Sequence, residues 1–215
     1  MPNIKNKQYG IFAQLKLMNR KQEDRIWKFY YDKVLPETTK IVTRKANKSR
    51  LLRNYGLLVA TVGLSPEPIL ISINVLKPKK VLFITTERET KGILDEIIEH
   101  TYLKTNGGYS TVYFADKADF YQKLILKINR MLNKEANKRV VFNITGGTKH
   151  MSASCFAISM LGLSGFDADA VYVKSDYKNA VVFGNRRIPA PESQEIIKML
   201  DISKVINPPN KTKPK

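Results

Sequence analysis

Cysteine occurs once, at Cys155, so neither a disulfide framework nor a cysteine-rich zinc site is available. The two histidines, His100 and His150, are too few for a histidine-dominated metal centre. No apolar run approaches the roughly 18–20 residues of a membrane-spanning helix. The start, Met1-Pro2-Asn3-Ile4-Lys5, lacks the apolar run of a signal peptide. The expectation is therefore a soluble cytoplasmic protein. Acidic residues are scarce as well, 19 against 37 Lys and Arg, a formal charge of +18. Apolar residues make up 43% of the 215, enough for a real core and too many for a disordered chain.

The positive excess is uneven. Residues 1–54 hold 14 Lys/Arg and 4 Asp/Glu. A basic surface of this kind favours a polyanionic partner, although a solvated Lys-rich surface is the plain alternative. Ile11, Leu15 and Met18 have helical spacing, as do Ile26, Phe29, Tyr30 and Val34, and Pro36 is expected to end the second segment. Residues 1–54 thus read as a short basic helical N-terminal extension, 55–206 as the main domain, and 207–215 as a disordered tail.

From Leu57 the pattern changes. Short continuous apolar runs at 57–62, 81–86, 111–114 and 139–144 read as strands, the first, second and fourth buried on both faces. Helical patterns follow at 69–76, 88–104, 117–135 and 149–163. Residues 169–174 and 179–184 read as two more strands, joined as a hairpin through Asp176-Tyr177-Lys178-Asn179. The alternation predicts an α/β fold, a mostly parallel sheet with helices on both faces. In such sheets ligands sit beyond the carboxyl ends of the strands.

Two strand ends stand out. In Asn143-Ile144-Thr145-Gly146-Gly147-Thr148-Lys149, paired glycines let backbone approach a ligand. The helix start adds unpaired N–H groups, two threonines add hydroxyls and Lys149 adds a charge, which together suit phosphate. The upstream glycine of a Walker A loop is absent. In Thr61-Val62-Gly63-Leu64-Ser65-Pro66-Glu67-Pro68, Gly63 permits a sharp exit from the strand. Ser65 either caps the next helix or bonds a ligand. The remaining glycines of a dinucleotide fingerprint are missing, which argues against NAD. Cys155 reads as a core residue and His150 as a surface one. Glu87, Glu89 and Lys91 loosely match a nuclease fragment but read better as a solvated helix start. No metal site and no cofactor are expected.

At these loops the chain resembles the CARF family, the CRISPR-associated Rossmann-fold sensors. Residues 143–152, Asn-Ile-Thr-Gly-Gly-Thr-Lys-His-Met-Ser, are similar to the family's (D/N)-x-T-G-G-T-K-x-M-(S/A) segment. The Val62–Pro68 stretch resembles the loop after the family's first strand. The resemblance implies a Rossmann-like domain and a homodimer. It also implies a cyclic oligoadenylate ligand, most simply cyclic tetra-adenylate, in type III CRISPR antiviral signalling. It gives Thr145, Gly146, Gly147, Thr148 and Lys149 to phosphates and riboses, with Met151 in the same segment. Thr61, Gly63, Leu64 and Ser65 would line the floor, and Thr86 and Glu87 the rim. Slow metal-independent ring opening would leave 2′,3′-cyclic phosphate ends, with Lys149 stabilising charge and Ser65 positioning an oxygen. The Arg-x4–6-His ribonuclease motif of the HEPN type is missing, and the stretch after residue 184 is too short for a nuclease domain. Two alternatives stand beside this reading. One is a non-catalytic sensor acting through residues 1–54 on nucleic acid, an anionic membrane or an effector protein. The other is a basic nucleotide- or RNA-binding protein outside CRISPR.

Overall fold

The computed structural model describes residues 10–19, 22–86, 91–114, 119–133, 135–136, 138–161, 166–184 and 186–199. The expected tail at 207–215 and Glu87 lie outside the described residues.

Continuous apolar runs build a sheet whose central strands are dry on both faces. β1 (Leu57–Thr61), β2 (Lys80–Thr85), β3 (Tyr109–Tyr113), β4 (Arg139–Asn143) and β5 (Asp167–Lys174) are all parallel where they pair. Leu58, Ala60, Val81, Phe83, Val141 and Val171 point to one face, and Leu57, Val59, Leu82, Ile84, Val140 and Phe142 to the other.

The helices divide between the faces. α1 (Ile11–Lys16), α2 (Glu23–Phe29), α3 (Leu35–Lys48), α4 (Glu67–Leu76), α5 (Lys91–Glu99) and α6 (Leu103–Asn106) contribute to the first apolar cluster. α7 (Asp119–Leu132) and α8 (Lys149–Leu161) cover the second face through Phe120, Leu124, Ile128, Met151, Cys155 and Ile158. α4 is buried on nearly every side, because α3 lies over it. This explains its almost unbroken apolar sequence. Each such side chain contributes about 1.5–3 kcal/mol on burial. Among the described residues no helix is long and apolar enough to cross a membrane.

Four local expectations need correcting. Pro36 does not end the N-terminal helical run. A π turn, Tyr30–Val34, leads directly into α3 with Pro36 in its first turn. The wider turn accommodates the missing proline N–H. Ser65 does not cap α4, whose N-cap is Pro66 without a side-chain bond. The last strands do not form a hairpin with each other. β6 (Val181–Phe183) pairs with β7 (Arg186–Ile188) in a separate two-stranded sheet. β8 (Glu195–Lys198), which the apolar pattern did not reveal, pairs antiparallel with β5. The 88–104 pattern also splits into α5 and α6.

The strand order is β3-β2-β1-β4-β5-β8. The chain runs outward from β1 to β3, returns to β4, and runs outward the other way. The order therefore reverses between β1 and β4, the point where a doubly wound sheet leaves a crevice.

Candidate functional site

Both glycine-containing loops leave the sheet at that reversal, and they touch. A Cβ on Gly63 would stand 2.7 Å from the Gly147 nitrogen, and one on Gly146 would stand 2.5 Å from the Thr61 carbonyl oxygen. The glycines are thus needed for loop-to-loop contact whatever they bind. Gly147 also has φ +75°, a left-handed conformation that costs other residues about 1–2 kcal/mol.

Side chains lock the arrangement. Thr61 Oγ1 donates to the Gly146 carbonyl at 2.6 Å, and Ser152 Oγ donates to the same oxygen at 2.9 Å. Asn143 is buried at the end of β4. Its amide donates to Ser72 Oγ at 2.8 Å and to the Pro68 carbonyl at 3.2 Å, and its oxygen accepts from the Thr145 N–H at 2.9 Å. The Val173 N–H donates to Thr145 Oγ1 at 2.7 Å, fixing the loop to β5. Thr148 caps α8, accepting from the Met151 N–H at 3.3 Å.

A cavity of about 340 Å³ opens between the loops and the end of β5. Gly63, Leu64, Ser65, Thr145, Gly146 and Gly147 form one side. Pro68, Tyr172, Val173, Ser175 and Tyr177 complete it. The N–H groups of Gly146 and Gly147 have no internal acceptor among the described residues. The first turn of α8 adds further N–H groups and the positive end of its dipole. Together these suit a phosphate.

The structure brings together six of the residues singled out in the sequence, Gly63, Leu64, Ser65, Thr145, Gly146 and Gly147. It places others differently. Thr61 is fully buried and its hydroxyl is engaged inside the protein. Met151 is also buried, beneath Gly147. Thr148 and Lys149 are exposed at the head of α8, outside the cavity lining, and Thr86 is half-buried at the end of β2. The sequence reading missed Tyr172, Tyr177 and Ser175. Tyr172 and Tyr177 are 40% and 47% exposed. Burial raises the Tyr177 pKa above its ordinary value, Glu67 adds to this, and a bond with Ser175 opposes it. The phenol therefore stays neutral at physiological pH.

Beneath the Ser65 loop, Glu67 is buried against Arg186 of β7. The guanidinium also donates to Glu96 Oε1 at 2.8 Å and stacks on Trp27 at 3.8 Å. This hub ties α2, α4 and α5 to the β6–β7 sheet. On the other face burial pushes the Cys155 thiol up to about 12, consistent with an inert core residue.

The fold and site define a Rossmann-like α/β protein with an anion-suited cavity at its topological switch point. Residues 68–162 match the family model described as the Card1 CARF domain. The match supports a CARF family for this part of the chain and includes the Thr145–Lys149 loop. No curated protein matches the sequence. Solved structures with some likeness include a mutant of MtNAS in complex with S-adenosylmethionine, at 11% identity and TM-score 0.38, covering 77% of this chain. MtNAS in complex with MTA and tNA gives 14% identity and TM-score 0.39 over 75% of this chain. The chain spans 55% of the length of each. At that level neither carries an argument.

Proposed function

We propose that this chain binds a cyclic oligoadenylate, cyclic tetra-adenylate in the first instance, across the two-fold axis of a homodimer in type III CRISPR antiviral signalling. The observation that carries the reading is the paired glycine loops at the switch point, within a domain whose 68–162 segment matches a CARF model. Gly146 and Gly147 N–H groups hold phosphate, and Thr145, Thr148 and Lys149 lie along the same edge. Tyr172 and Tyr177 offer faces on which adenines stack. The homodimer is supported by α8. Ala153 and Ala157 are exposed on it and Phe156 and Met160 half-exposed, an apolar outer side beside Lys149. A symmetric ring seats naturally on an isologous interface.

Ring opening needs geometry more than strong acid–base groups. A ribose 2′-oxygen attacks its adjacent phosphorus in line and loses its proton to water. The bond to the next nucleotide's 5′-oxygen breaks and that oxygen takes a proton, leaving a 2′,3′-cyclic phosphate. Ser65 positions the attacking or leaving oxygen, and Lys149 stabilises charge on the phosphate. A sensor without turnover is the second reading. It is favoured by one observation: among the described residues lining the cavity, Tyr172 and Tyr177 are the ionisable side chains.

The test is incubation with labelled cyclic tetra-adenylate in EDTA, chromatography over time and a parallel binding titration. Linear products support the nuclease. Tight binding of an intact ring supports the sensor. No binding of cyclic tetra- or hexa-adenylate overturns both.

A further inference from the structure

α3 carries two different faces. Leu35, Thr38, Val42 and Ala46 are buried. Lys33, just before the helix, and Lys40, Arg44 and Lys48 on it are exposed. Their spacing of seven, four and four keeps them on one side of the helix. None of the four has an acidic partner among the described residues. Glu37 lies on the same side between Lys33 and Lys40 and leaves the stripe net positive. Asp32 pairs with Lys28 at 3.2 Å, and Lys45 turns away to donate to the Gln194 carbonyl at 3.1 Å. The result is a cationic stripe about 22 Å long at 1.5 Å per residue.

An aromatic cavity adjoins this stripe. It encloses about 430 Å³, and its lining includes Tyr31, Pro36, Thr39, Lys40, Asn74 and His100. The Tyr31 and His100 rings are stacked, with centroids 3.5 Å apart and an interplanar angle of 8°. Lys40 belongs to both features. The wall therefore offers a stacked aromatic pair whose facing sides cover each other, an amide and a hydroxyl for a base edge, and a cation for the flanking phosphate. The cavity shares no residue with the one at the glycine loops.

We infer that this face binds single-stranded nucleic acid, with the strand's phosphates along Lys40, Arg44 and Lys48 and one unstacked base in the Tyr31–His100 cavity. Stacking platforms beside basic tracks are how single strands are held without sequence readout. A duplex has no free base for the cavity. A membrane surface fits less well, because α3 has its apolar side in the core and none left to insert. The inference is independent of the messenger reading.

The experiment is fluorescence anisotropy of the full chain with labelled 20-mers of single-stranded RNA, single-stranded DNA and duplex DNA, between about 50 and 200 mM salt. Single strands are expected to bind more tightly than the duplex, with affinity falling steeply in salt. The RNA and DNA arms identify which strand is preferred. The variant Lys40→Glu/Arg44→Glu/Lys48→Glu should weaken binding by at least about tenfold and flatten the salt slope. His100→Ala should weaken it by about fivefold or more at unchanged slope. The control, Lys123→Glu/Lys127→Glu/Arg130→Glu on α7, makes the same charge change elsewhere. The inference is overturned by equal loss in the α7 control, by duplex binding as tight as single-strand binding, or by no binding at the lowest salt. Circular dichroism of each variant separates unfolding from lost contacts.

Discussion

Gly146→Ala tests whether the crossing of the two loops builds the site. The new Cβ would stand 2.5 Å from the Thr61 carbonyl oxygen and 3.1 Å from the Gly63 nitrogen. Ordinary contact starts near 3.4 Å, so the loops must part by about 0.9 Å. Gly146 does not lie in the left-handed region, so the cost is steric rather than torsional. Overpacking of this kind costs about 1–3 kcal/mol. Separation also weakens the bonds that Thr61 and Ser152 make to the Gly146 carbonyl, worth about 1 kcal/mol for one lost. The expected total is about 2–4 kcal/mol, read as a lower urea midpoint at unchanged m. Cyclic tetra-adenylate binding should fall at least tenfold under conditions where the variant remains folded, since about 1.4 kcal/mol is already a factor of ten. Gly92→Ala is the control. It is the exposed second residue of α5 with nothing within 4 Å of its new Cβ among the described residues, so it should be neutral or stabilise by less than about 0.5 kcal/mol. A Gly146→Ala protein with wild-type midpoint and wild-type binding would refute the loop-contact argument.

Arg186→Met should cost about 3–5 kcal/mol in urea unfolding, because it strands buried Glu67 without its partner. Adding Glu67→Gln and Glu96→Gln to that variant should recover much of the loss, and a triple variant as unstable as the single would contradict the ion-pair account. Burial lowers the His100 pKa below 6.5, with Glu96, Glu99 and Asp32 opposing and Lys104 assisting. The unfolded chain therefore binds the proton more readily, so stability should fall as pH drops through and below about 6.5. His100→Gln should flatten that part of the thermal-unfolding pH profile, and an unchanged slope would assign it to other groups. Tyr177→Ala should weaken cyclic tetra-adenylate binding by about fivefold or more and Tyr177→Phe by much less, since the ring face is what stacks. Equal losses in the two variants would point to the hydroxyl instead. Cys155 should resist thiol reagents at pH 8 until the protein unfolds, and rapid labelling of native protein would contradict its burial.

The α/β alternation and the positions of the two glycine loops are legible from the residues alone. The run at 81–84 is apolar at every position, as a short strand covered on both faces requires. Gly146 and Gly147 after β4 announced a close backbone approach, though not that the other backbone was the Thr61–Gly63 loop. That is a distance between segments more than 80 residues apart, and local periodicity carries no information about it. The same limit hid the partner of β5. The run at 169–174 followed by turn residues reads as half of a hairpin, yet β8 rather than β6 completes the sheet. Pro36 reads as a break by local rules, yet it falls in the first turn of α3, which follows the π turn directly. Tyr172 and Tyr177 look like ordinary strand and turn residues until the sheet's end places them opposite the glycine loops. Arg186 and Glu67, 119 residues apart, are paired only by the packing of β7 against α4. Residue pattern fixed the central strands and the longer helices, because periodicity is a local consequence of which face is buried. Tertiary structure decided which elements meet, because strand partners, buried ion pairs and cavities depend on distances that no local pattern encodes.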